Sequence, residues 1–422
     1  MSYEIAEQGT SKKESRRKTS QQCLPPLPPA GYDRILATMT SAAEHVRFIH
    51  SSDWQLGMTR AFLDAEAAAR FAQARIDAIT TLGELAREHA AQFIVVAGDV
   101  FESNQLSRQT LMRTLDALQS LPVPIFLLPG NHDPLNGASI FSAPEFARCG
   151  EHINILRDTA PLPITVAGGV IVEVVGAPWR SKHPNADLCA ELAANLAPAQ
   201  GIVRVAVAHG QVDSLAPDTS RPEIISLADV ETAIAEQKFH YLALGDRHSV
   251  TEVGSSGRVW YSGAPVATAF DELDPNKALL VDLSADGDCS VQALAVGAWN
   301  FIVEHRALDG AQDLEQFSQW LMALPNKERS VVKVSFEGSI NLATAAALDE
   351  LMASGADLFA GLWLRRRTSK LAVVPDQLDQ DSVSLSGYAR STWDELLAAS
   401  EGVDPIAQDA LRLFYRLSGH QA

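Results

Sequence analysis

Apolar segments of strand length alternate with amphipathic helical patterns through most of this 422-residue chain, and this alternation limits its fold more than any other feature. Residues 46–51, 93–97 and 124–128 are predicted strands. A long helix is predicted over residues 64–89, and another begins near Ser107, a suitable N-cap residue. The βαβ order predicts parallel strands in this part of the chain. The predicted fold class is therefore α/β, with one or two layered sheets.

The later strands divide between this main domain and a smaller one. The later strands of the main domain are predicted at residues 170–175, 203–208, 241–244, 259–262 and 278–283. Toward the end of the domain these strands become closely spaced in the sequence, which favours antiparallel pairs. A small α+β module follows from near Trp299, with strands at 301–306, 331–336 and 358–365 and helices at 314–324 and 342–352. The predicted organisation is an extension at 1–44, a main domain at 45–297, the α+β module at 298–375, and a tail at 376–422 with an amphipathic helix at 405–417.

The composition narrows the class of protein. The formal net charge is −18, so binding to nucleic acid would need a local basic patch, bound cations or a partner. Four cysteines without a CxxC pair argue against a disulfide framework and against structural zinc, and they fit a reducing compartment. The apolar runs are too short to span a membrane. The first forty residues are polar, with a basic cluster and a proline-rich stretch, which predicts a disordered extension. We therefore predict a cytoplasmic protein without membrane association.

Five short polar segments each come directly after a predicted strand. Ligands gather at the carboxyl ends of strands in open α/β sheets, so loops distant in sequence are expected to meet there. The segments are Ser52-Asp53-Trp54-Gln55, Gly98-Asp99-Val100-Phe101-Glu102, Gly130-Asn131-His132-Asp133, His209-Gly210 and Gly245-Asp246-Arg247-His248. Each is weak evidence by itself, because buried histidines and Gly-Asp pairs are often structural. All five in this order are not a chance pattern.

The residue types in these segments indicate a metal centre. Carboxylates, imidazoles and one Asn amide, without a thiolate, suit Mn²⁺, Mg²⁺, Fe or Zn²⁺ in a hydrolytic site. The i, i+2 spacing of Asp53 with Gln55, and of Asp246 with His248, places both members on one side of an extended segment. Such pairs could hold two ions about 3.5–4 Å apart, the spacing of a two-metal hydrolase.

The order and spacing of these segments resemble the calcineurin-like metallophosphoesterases, and more narrowly the SbcD-type DNA-repair exonuclease subunits, including the bacterial YhaO branch. The resemblance runs from Arg47 to about Leu283. It is carried by the segments FIHSSDW at 48–54, AGDVF at 97–101, LPGNHD at 128–133, ALG at 243–245 and YSGAP at 261–265. It implies a layered α-β-β-α sandwich, and the module after Trp299 occupies the position of that family's DNA-contacting cap.

The resemblance also implies roles for individual residues. One metal ion would be surrounded by Asp53, Gln55, Asp99 and His248, and the other by Asp99, Asn131, His209 and Asp246, with Asp99 bridging them. His132 would be the histidine that steadies the scissile phosphate and helps to protonate the leaving oxygen. Glu102 lies where the family often has a polar partner for that histidine.

Two positions depart from the family pattern. The first segment usually reads Asp-x-His, but here the third residue is Gln55; the last usually reads Gly-His-x-His, but here Asp246 replaces the first histidine. An amide oxygen is a weak neutral ligand, whereas a carboxylate is a hard anionic one. Three carboxylates therefore face the ions, which predicts a preference for Mn²⁺, with Mg²⁺ as the alternative. The added charge should also slow the reaction at neutral pH.

The function implied by the resemblance is hydrolysis of a phosphodiester through in-line attack by a metal-bound hydroxide, in a DNA nuclease subunit. Its implied partners are DNA, a coiled-coil ATPase subunit of the SbcC type, and a second copy of the chain. Two alternatives stay open. One is a phosphodiesterase or phosphatase for small nucleotides; the other is a catalytically weakened scaffold for DNA or the ATPase, which Gln55 and Asp246 support.

Candidate DNA contacts lie outside the five segments. They are Arg180, Lys182, Arg365, Arg366, Arg367 and Lys370, and for the last four a solvated edge strand is the alternative interpretation. Core packing is the expectation for Trp54 and Trp179, with base stacking as the alternative. The helix at 405–417 is expected either to pack on its own domain or to dock a partner.

Overall fold

A computed structural model of the protein describes residues 45–166, 171–199, 201–284, 288–374, 385–400 and 405–417. All of these described residues belong to one compact unit. The predicted disordered extension at 1–44 lies outside the described residues, and so does the segment at 375–384 that begins the predicted tail.

The main domain alternates strands and helices; its first two helices were predicted from the sequence, and its last two were not. Its helices are α1 (Ala65–Glu88), α2 (Arg108–Gln119), α3 (Leu188–Ala194) and α4 (Leu227–Ala235). Its strands are β1 (His45–Ser51), β2 (Phe93–Val96), β3 (Ile125–Leu127), β4 (Ile153–Ile155), β5 (Leu162–Thr165), β6 (Ile171–Gly176), β7 (Val203–His209), β8 (Tyr241–Gly245), β9 (Val250–Val253), β10 (Val259–Ser262), β11 (Lys277–Ser284) and β12 (Cys289–Ala295). Ser107 caps α2 as predicted, since its side chain accepts the N–H of Thr110.

Two six-stranded sheets form the centre of this domain. The first has the order β12-β11-β1-β2-β3-β4, and the second has the order β5-β6-β7-β8-β10-β9. Within the first sheet β1, β2, β3 and β4 are parallel, while β11 and β12 join antiparallel. Within the second sheet β6, β7, β8 and β10 are parallel. The mixed pairing that the sequence predicts is confirmed.

Alternating side chains of the strands fill two different cores. Phe48 and Phe93 face the other sheet and stack on each other with 4.9 Å between ring centroids, whereas Ile49 and Ile94 face α1 and α2. The second sheet is covered on its outer face by α3 and α4. The architecture is therefore the predicted α-β-β-α sandwich, and its strands read as apolar runs because both faces are buried.

The smaller module consists of β13 (Asn300–Ala307), α5 (Ala311–Ala323), β14 (Ser330–Ile340), α6 (Leu342–Ala356), β15 (Gly361–Leu364) and β16 (Lys370–Val373). Strands β13, β15 and β16 all pair in parallel with β14, so the helices serve as crossovers and the module is a small alternating α/β unit. It packs on α1, where Phe71 meets Trp299 edge to face at 4.8 Å. We call this module the cap.

Two C-terminal helices complete the cap. They are α7 (Tyr388–Ser400), which the sequence does not predict, and the predicted helix α8 (Pro405–Leu417). Trp393 of α7 and Leu411 and Tyr415 of α8 are buried in the cap core with Phe336. The α8 helix thus packs on its own domain. No helix in the described ranges combines the length and the apolar character needed to cross a bilayer.

Candidate metal centre

The polar segments after β1, β2, β3, β7 and β8 meet in space, and hydrogen bonds between the two sheets hold them together. Nδ1 of His209, at the end of β7, lies 2.9 Å from the carbonyl oxygen of Ala97, which follows β2. The backbone N–H of Asp246, after β8, donates to the carboxylate of Asp53, after β1, at 3.1 Å. Neighbouring parallel strands bring their carboxyl ends to one sheet edge, which explains the convergence.

Asp53, Asp99 and His209 form the centre of the cluster. A potential ligand atom of each lies within 4.8 Å of the other two, and all three side chains are buried. Asn131 adds its Oδ1 atom at 2.7 Å from Nε2 of His209, and Asp246 adds its Oδ1 atom at 3.8 Å from the same nitrogen. These five residues include the complete ligand set inferred for one ion, arranged around a single imidazole.

Gln55 and His248 extend the cluster on the other side of Asp53. Nε2 of His248 lies 3.6 Å from Oδ1 of Asp53 and 3.4 Å from Nε2 of Gln55. The Gln55 side chain is 3% exposed, and its Oε1 atom is buried without a hydrogen-bond partner among the described residues. A buried amide oxygen without a donor is costly unless it binds something else. Together with the oxygen and nitrogen donors around it, this atom fits a bound divalent cation.

In both His209 and His248, the hydrogen bond made by Nδ1 fixes the direction in which Nε2 points. Nδ1 of His209 donates to a backbone carbonyl, so Nε2 is left facing the carboxylates. Nδ1 of His248 lies 2.7 Å from Oγ1 of Thr268 and 3.0 Å from Oε1 of Glu272, and its Nε2 likewise faces Asp53. Both rings are therefore oriented to offer Nε2 to a metal ion.

Thr268, Glu272 and Arg60 support the site although the sequence analysis does not single them out. The Glu272 carboxylate accepts the N–H of Thr268 at 2.9 Å, and Arg60 donates to the carbonyl oxygen of Thr268 at 2.6 Å. These residues follow neither a strand end nor a metal-ligand spacing. The available signal is their position: Thr268 and Glu272 come shortly after the YSGAP segment that carries the resemblance.

His132 lies at the rim of the cluster. Its side chain is 37% exposed, its Nε2 atom is 3.9 Å from Oδ2 of Asp99, and its Nδ1 atom donates to the carbonyl oxygen of Glu102 at 3.0 Å. The Glu102 carboxylate is farther away, at 3.9 Å from Nδ1. Glu102 thus holds the ring mainly through its backbone, and Nε2 lies on the side of the Asp99 carboxylate.

Strained backbone is concentrated at this cluster. Of the eight described non-glycine residues with positive φ, four are Asp53 (53°), Gln55 (43°), Asp99 (51°) and Asp246 (98°). Such conformations cost free energy and persist where the surrounding structure imposes them, commonly at functional sites.

Glycines beside the cluster leave room for these side chains. A Cβ atom at Gly98 would lie 2.2 Å from Nδ1 of His209, and one at Gly130 would lie 2.2 Å from Oδ1 of Asp99. The carboxylate of Asp133 then ties the loops together, since it accepts the N–H groups of Gly130 at 2.7 Å and Phe101 at 2.9 Å. Burial raises the pKa of Asp133 to about 8, and the nearby Asp99 adds to the shift.

The electrostatics of the cluster favour cations. Burial by itself lowers the pKa of His209, but the carboxylates of Asp99, Asp53 and Asp246 outweigh it, so the pKa lies well above its ordinary value. Burial raises the pKa of Asp53 despite the opposing effect of His248. For Asp99, His209 and His132 overcome the effect of burial and hold the pKa below its ordinary range. Three carboxylates around one imidazole are a strong attraction for positive charge.

The remaining predicted residues lie outside the cluster. Arg180, Lys182, Arg365, Arg366, Arg367 and Lys370 are all exposed. Trp54 is 2% exposed and donates to Ser51, and Trp179 is 5% exposed and donates to the carbonyl oxygen of His209 at 2.7 Å. Both tryptophans are packing residues, as expected, so neither offers a face for base stacking.

Comparison with known proteins agrees with this geometry. The family model described as calcineurin-like phosphoesterase matches residues 46–262, which span β1 to β10. The SbcD components of the nuclease SbcCD from Escherichia coli strains K12 and O157:H7 are each 27% identical to the chain over 264 residues, which is 55% of this chain and 63% of the relative. The chain thus spans less than two thirds of the length of these relatives.

The solved structures that match the chain have low sequence identity. One is a Plasmodium protein named as GAP50, the anchor in the inner membrane complex. The match covers 60% of this chain and 85% of the Plasmodium chain, with a TM-score of 0.39 and 12% identity. Another is a dimetal phosphatase from Danio rerio. The match covers 60% of this chain and 98% of the phosphatase chain, with a TM-score of 0.37 and 12% identity. The family match and the five converging strand ends lead to one conclusion: the chain belongs to the calcineurin-like phosphoesterase family.

Proposed function

We propose that this protein is a metal-dependent phosphodiesterase that cleaves DNA. The observation that carries the proposal is the convergence of Asp53, Asp99 and His209 within 4.8 Å, with His132 beside them at the rim. Two divalent cations, most simply Mn²⁺, would be held by Asp53, Gln55, Asp99, Asn131, His209, Asp246 and His248. When bound, they would activate the attacking water and neutralise charge on the phosphoryl oxygens.

The protein residues have separate parts in this reaction. Asp99 shares the centre of the cluster with Asp53 and His209 and is the candidate bridge. Nδ1 of His132 is held by the carbonyl oxygen of Glu102. When the ring is doubly protonated, its Nε2 atom can contact a phosphoryl oxygen and pass a proton to the leaving oxygen. Asn131 precedes His132 in the same loop and is a second candidate for contact with this phosphate.

The cap supports a macromolecular substrate. Lys333, Trp363, Arg365, Arg366 and Arg367 line one surface cleft of about 440 Å³. Basic side chains next to an aromatic ring are typical of surfaces that bind single-stranded nucleic acid. Arg180 and Lys182 are candidates for further backbone contacts from the main domain.

This cleft is structurally connected to the metal centre. Nζ of Lys333 lies 3.6 Å from the ring centroid of Phe270, and Phe270 packs against Phe301 at 5.1 Å between centroids. Phe270 belongs to the same loop as Thr268 and Glu272, which orient His248. A DNA strand bound along this cleft of the cap would therefore lie next to the loop that orients His248 in the metal centre.

The similarity to the SbcD components of the nuclease SbcCD favours DNA as the substrate. It also supports the proposal of an SbcC-like partner subunit. That this partner is a coiled-coil ATPase, and that the protein forms a homodimer, are further parts of the proposal. A small-nucleotide phosphodiesterase or phosphatase would not need the basic cap cleft.

The experiment measures bound metal and Mn²⁺-dependent hydrolysis of single-stranded DNA, duplex DNA and bis(p-nitrophenyl) phosphate. Asp99→Asn should lose both metal binding and hydrolysis, because the bridging carboxylate is removed. His132→Gln should keep the metal and lower the rate about 10²- to 10⁴-fold, the usual contribution of a general acid. Full activity of Asp99→Asn would refute the proposal. DNA binding without cleavage by the wild-type protein would instead favour a scaffold.

A further inference from the structure

A cleft of about 290 Å³ opens beside the candidate metal centre. Asp246, His248 and Glu272 form the wall that it shares with the centre. Arg247, Leu215 and Leu273 also line the cleft and are not candidate metal ligands. A substrate whose scissile phosphate lay over the metal centre would extend a neighbouring group into this space.

Arg247 is anchored in this cleft by one edge of its guanidinium group. Its Nε atom donates to Oγ1 of Thr251 at 2.8 Å, and Thr251 in turn donates to the carbonyl oxygen of Ser249 at 3.0 Å. Within the described part of the chain, its two Nη atoms have no hydrogen-bond or ion-pair partner. Two parallel N–H donors on a fixed cationic group match the oxygens of a phosphate.

The other charged residues of the lining leave Arg247 as the group available to an anion. Arg247 is the single Lys or Arg among the lining residues that the structure describes. The Glu272 carboxylate is occupied by Thr268 and His248, and Asp246 belongs to the candidate ligand set of the metal centre. Asp271 is exposed to solvent, where its charge is screened.

Apolar surface flanks the arginine. Leu215 is 41% exposed and Leu273 is 84% exposed, and the N–H of Leu273 donates to Oγ of Ser249 at 3.0 Å, which ties its loop to the segment that carries Arg247. A cation beside exposed leucines suits a ligand with an anionic group and a flat, weakly polar ring. A nucleotide has both.

We propose that this cleft is a subsite for the nucleotide next to the scissile phosphodiester, and that Arg247 binds the phosphate of that nucleotide. The inference rests on the proposed function and adds a substrate preference to it. Substrates with a phosphate on each side of the scissile bond gain a contact that an isolated phosphodiester lacks. Arg247 is thus a specificity-determining residue for polynucleotides.

The test compares the dinucleoside monophosphate TpT with pTpTp, in which a phosphate flanks the phosphodiester on either side. Binding of both is measured by calorimetry with Mn²⁺ in the His132→Gln protein, with and without Arg247→Gln, and kcat/KM is measured in the protein with His132 intact. Arg247→Gln should reduce the preference for pTpTp over TpT by about 10-fold or more, mainly through Kd and KM, because a charge-assisted contact is lost. Arg247→Lys, which keeps the charge but not the fork, should retain part of the preference.

Arg87→Gln is the matched control, because Arg87 is exposed at the end of α1 and the substitution removes the same charge. It should leave the preference unchanged. An equal effect of Arg247→Gln on both ligands, or no effect on either, would overturn the subsite. If pTpTp binds preferentially through Arg247 but neither compound is cleaved by the wild-type protein, the subsite stands and the proposed activity is wrong.

Discussion

Nδ1 of His248 lies 3.0 Å from Oε1 of Glu272, whose side chain is only 5% exposed. Burial by itself lowers the pKa of His248, but Glu272 and Asp53 together raise it above its ordinary value. A buried carboxylate behind a histidine fixes the ring and makes its other nitrogen a stronger ligand. The metal centre therefore depends on a loop outside the five polar segments.

Glu272→Gln should weaken Mn²⁺ binding about 10- to 100-fold, the usual effect of removing such a carboxylate. The amide keeps the size of the side chain but not its charge. Isothermal titration calorimetry with Mn²⁺ measures the change directly and does not depend on activity. Asp271→Asn is the control, because it removes the neighbouring exposed charge. Equal affinities of the wild-type and Glu272→Gln proteins would show that His248 does not need this partner.

Replacing both Gln55 and Asp246 by histidine should shift the metal preference from Mn²⁺ toward Zn²⁺. The double variant exchanges an amide and a carboxylate for two imidazoles, and imidazole suits zinc whereas oxygen donors suit manganese and magnesium. Competition between the two metals, followed by elemental analysis of the purified protein, measures the shift. An unchanged ratio of bound metals would mean that these two side chains are not ligands.

Gly98→Ala should disrupt the metal centre and destabilise the fold by about 2 kcal/mol or more, since both steric overlap and backbone strain are introduced. The φ angle of Gly98 is +89°, and a Cβ atom there would lie 2.2 Å from Nδ1 of His209. Urea unfolding and Mn²⁺ titration measure the two effects. Gly137→Ala is the control, because a Cβ atom at that position meets nothing within 4 Å. A Gly98→Ala protein with normal stability would contradict the packing described around His209.

His50 should make the protein less stable in acid. Burial lowers the pKa of His50 to about 3 from its ordinary 6.5, although the carbonyl oxygen of Leu244 partly opposes the shift. The folded state binds this proton less readily than the unfolded state does, so the contribution to stability is present above pH 6.5 and is lost as the pH falls toward 3. Between pH 7 and pH 5 the loss from this group is about 2 kcal/mol.

The measurement is the free energy of urea unfolding at pH 7 and pH 5 for the wild-type and His50→Gln proteins. The variant should be less stable at pH 7, because the contact of His50 with Tyr241 at 3.1 Å is altered. Its stability should nevertheless fall less between the two pH values. Parallel pH dependences for the two proteins would exclude His50 as the titrating group.

The central strands were predictable because they are buried on both faces and read as continuous apolar runs. Strands β4, β5, β9 and β12 of the main domain were missed, and so was β16 of the cap. The first four are the edge strands of the two six-stranded sheets. Edge strands are short or half-exposed, so their apolar pattern is diluted. The final helix was predicted from its helical spacing, whereas α7 in the preceding polar stretch was not.

The sequence by itself determined the α/β class and, through its resemblance, the family and the residues expected at the strand ends. Apolar runs and chemically distinctive side chains directly after them are local properties that can be read along the chain. Only the tertiary structure decided which atoms support these candidate site residues. The contact of Glu272 with His248, the buried oxygen of Gln55 and the free edge of Arg247 depend on side chains that come together from separate loops. Such contacts arise from three-dimensional packing, and no periodicity along the chain records them.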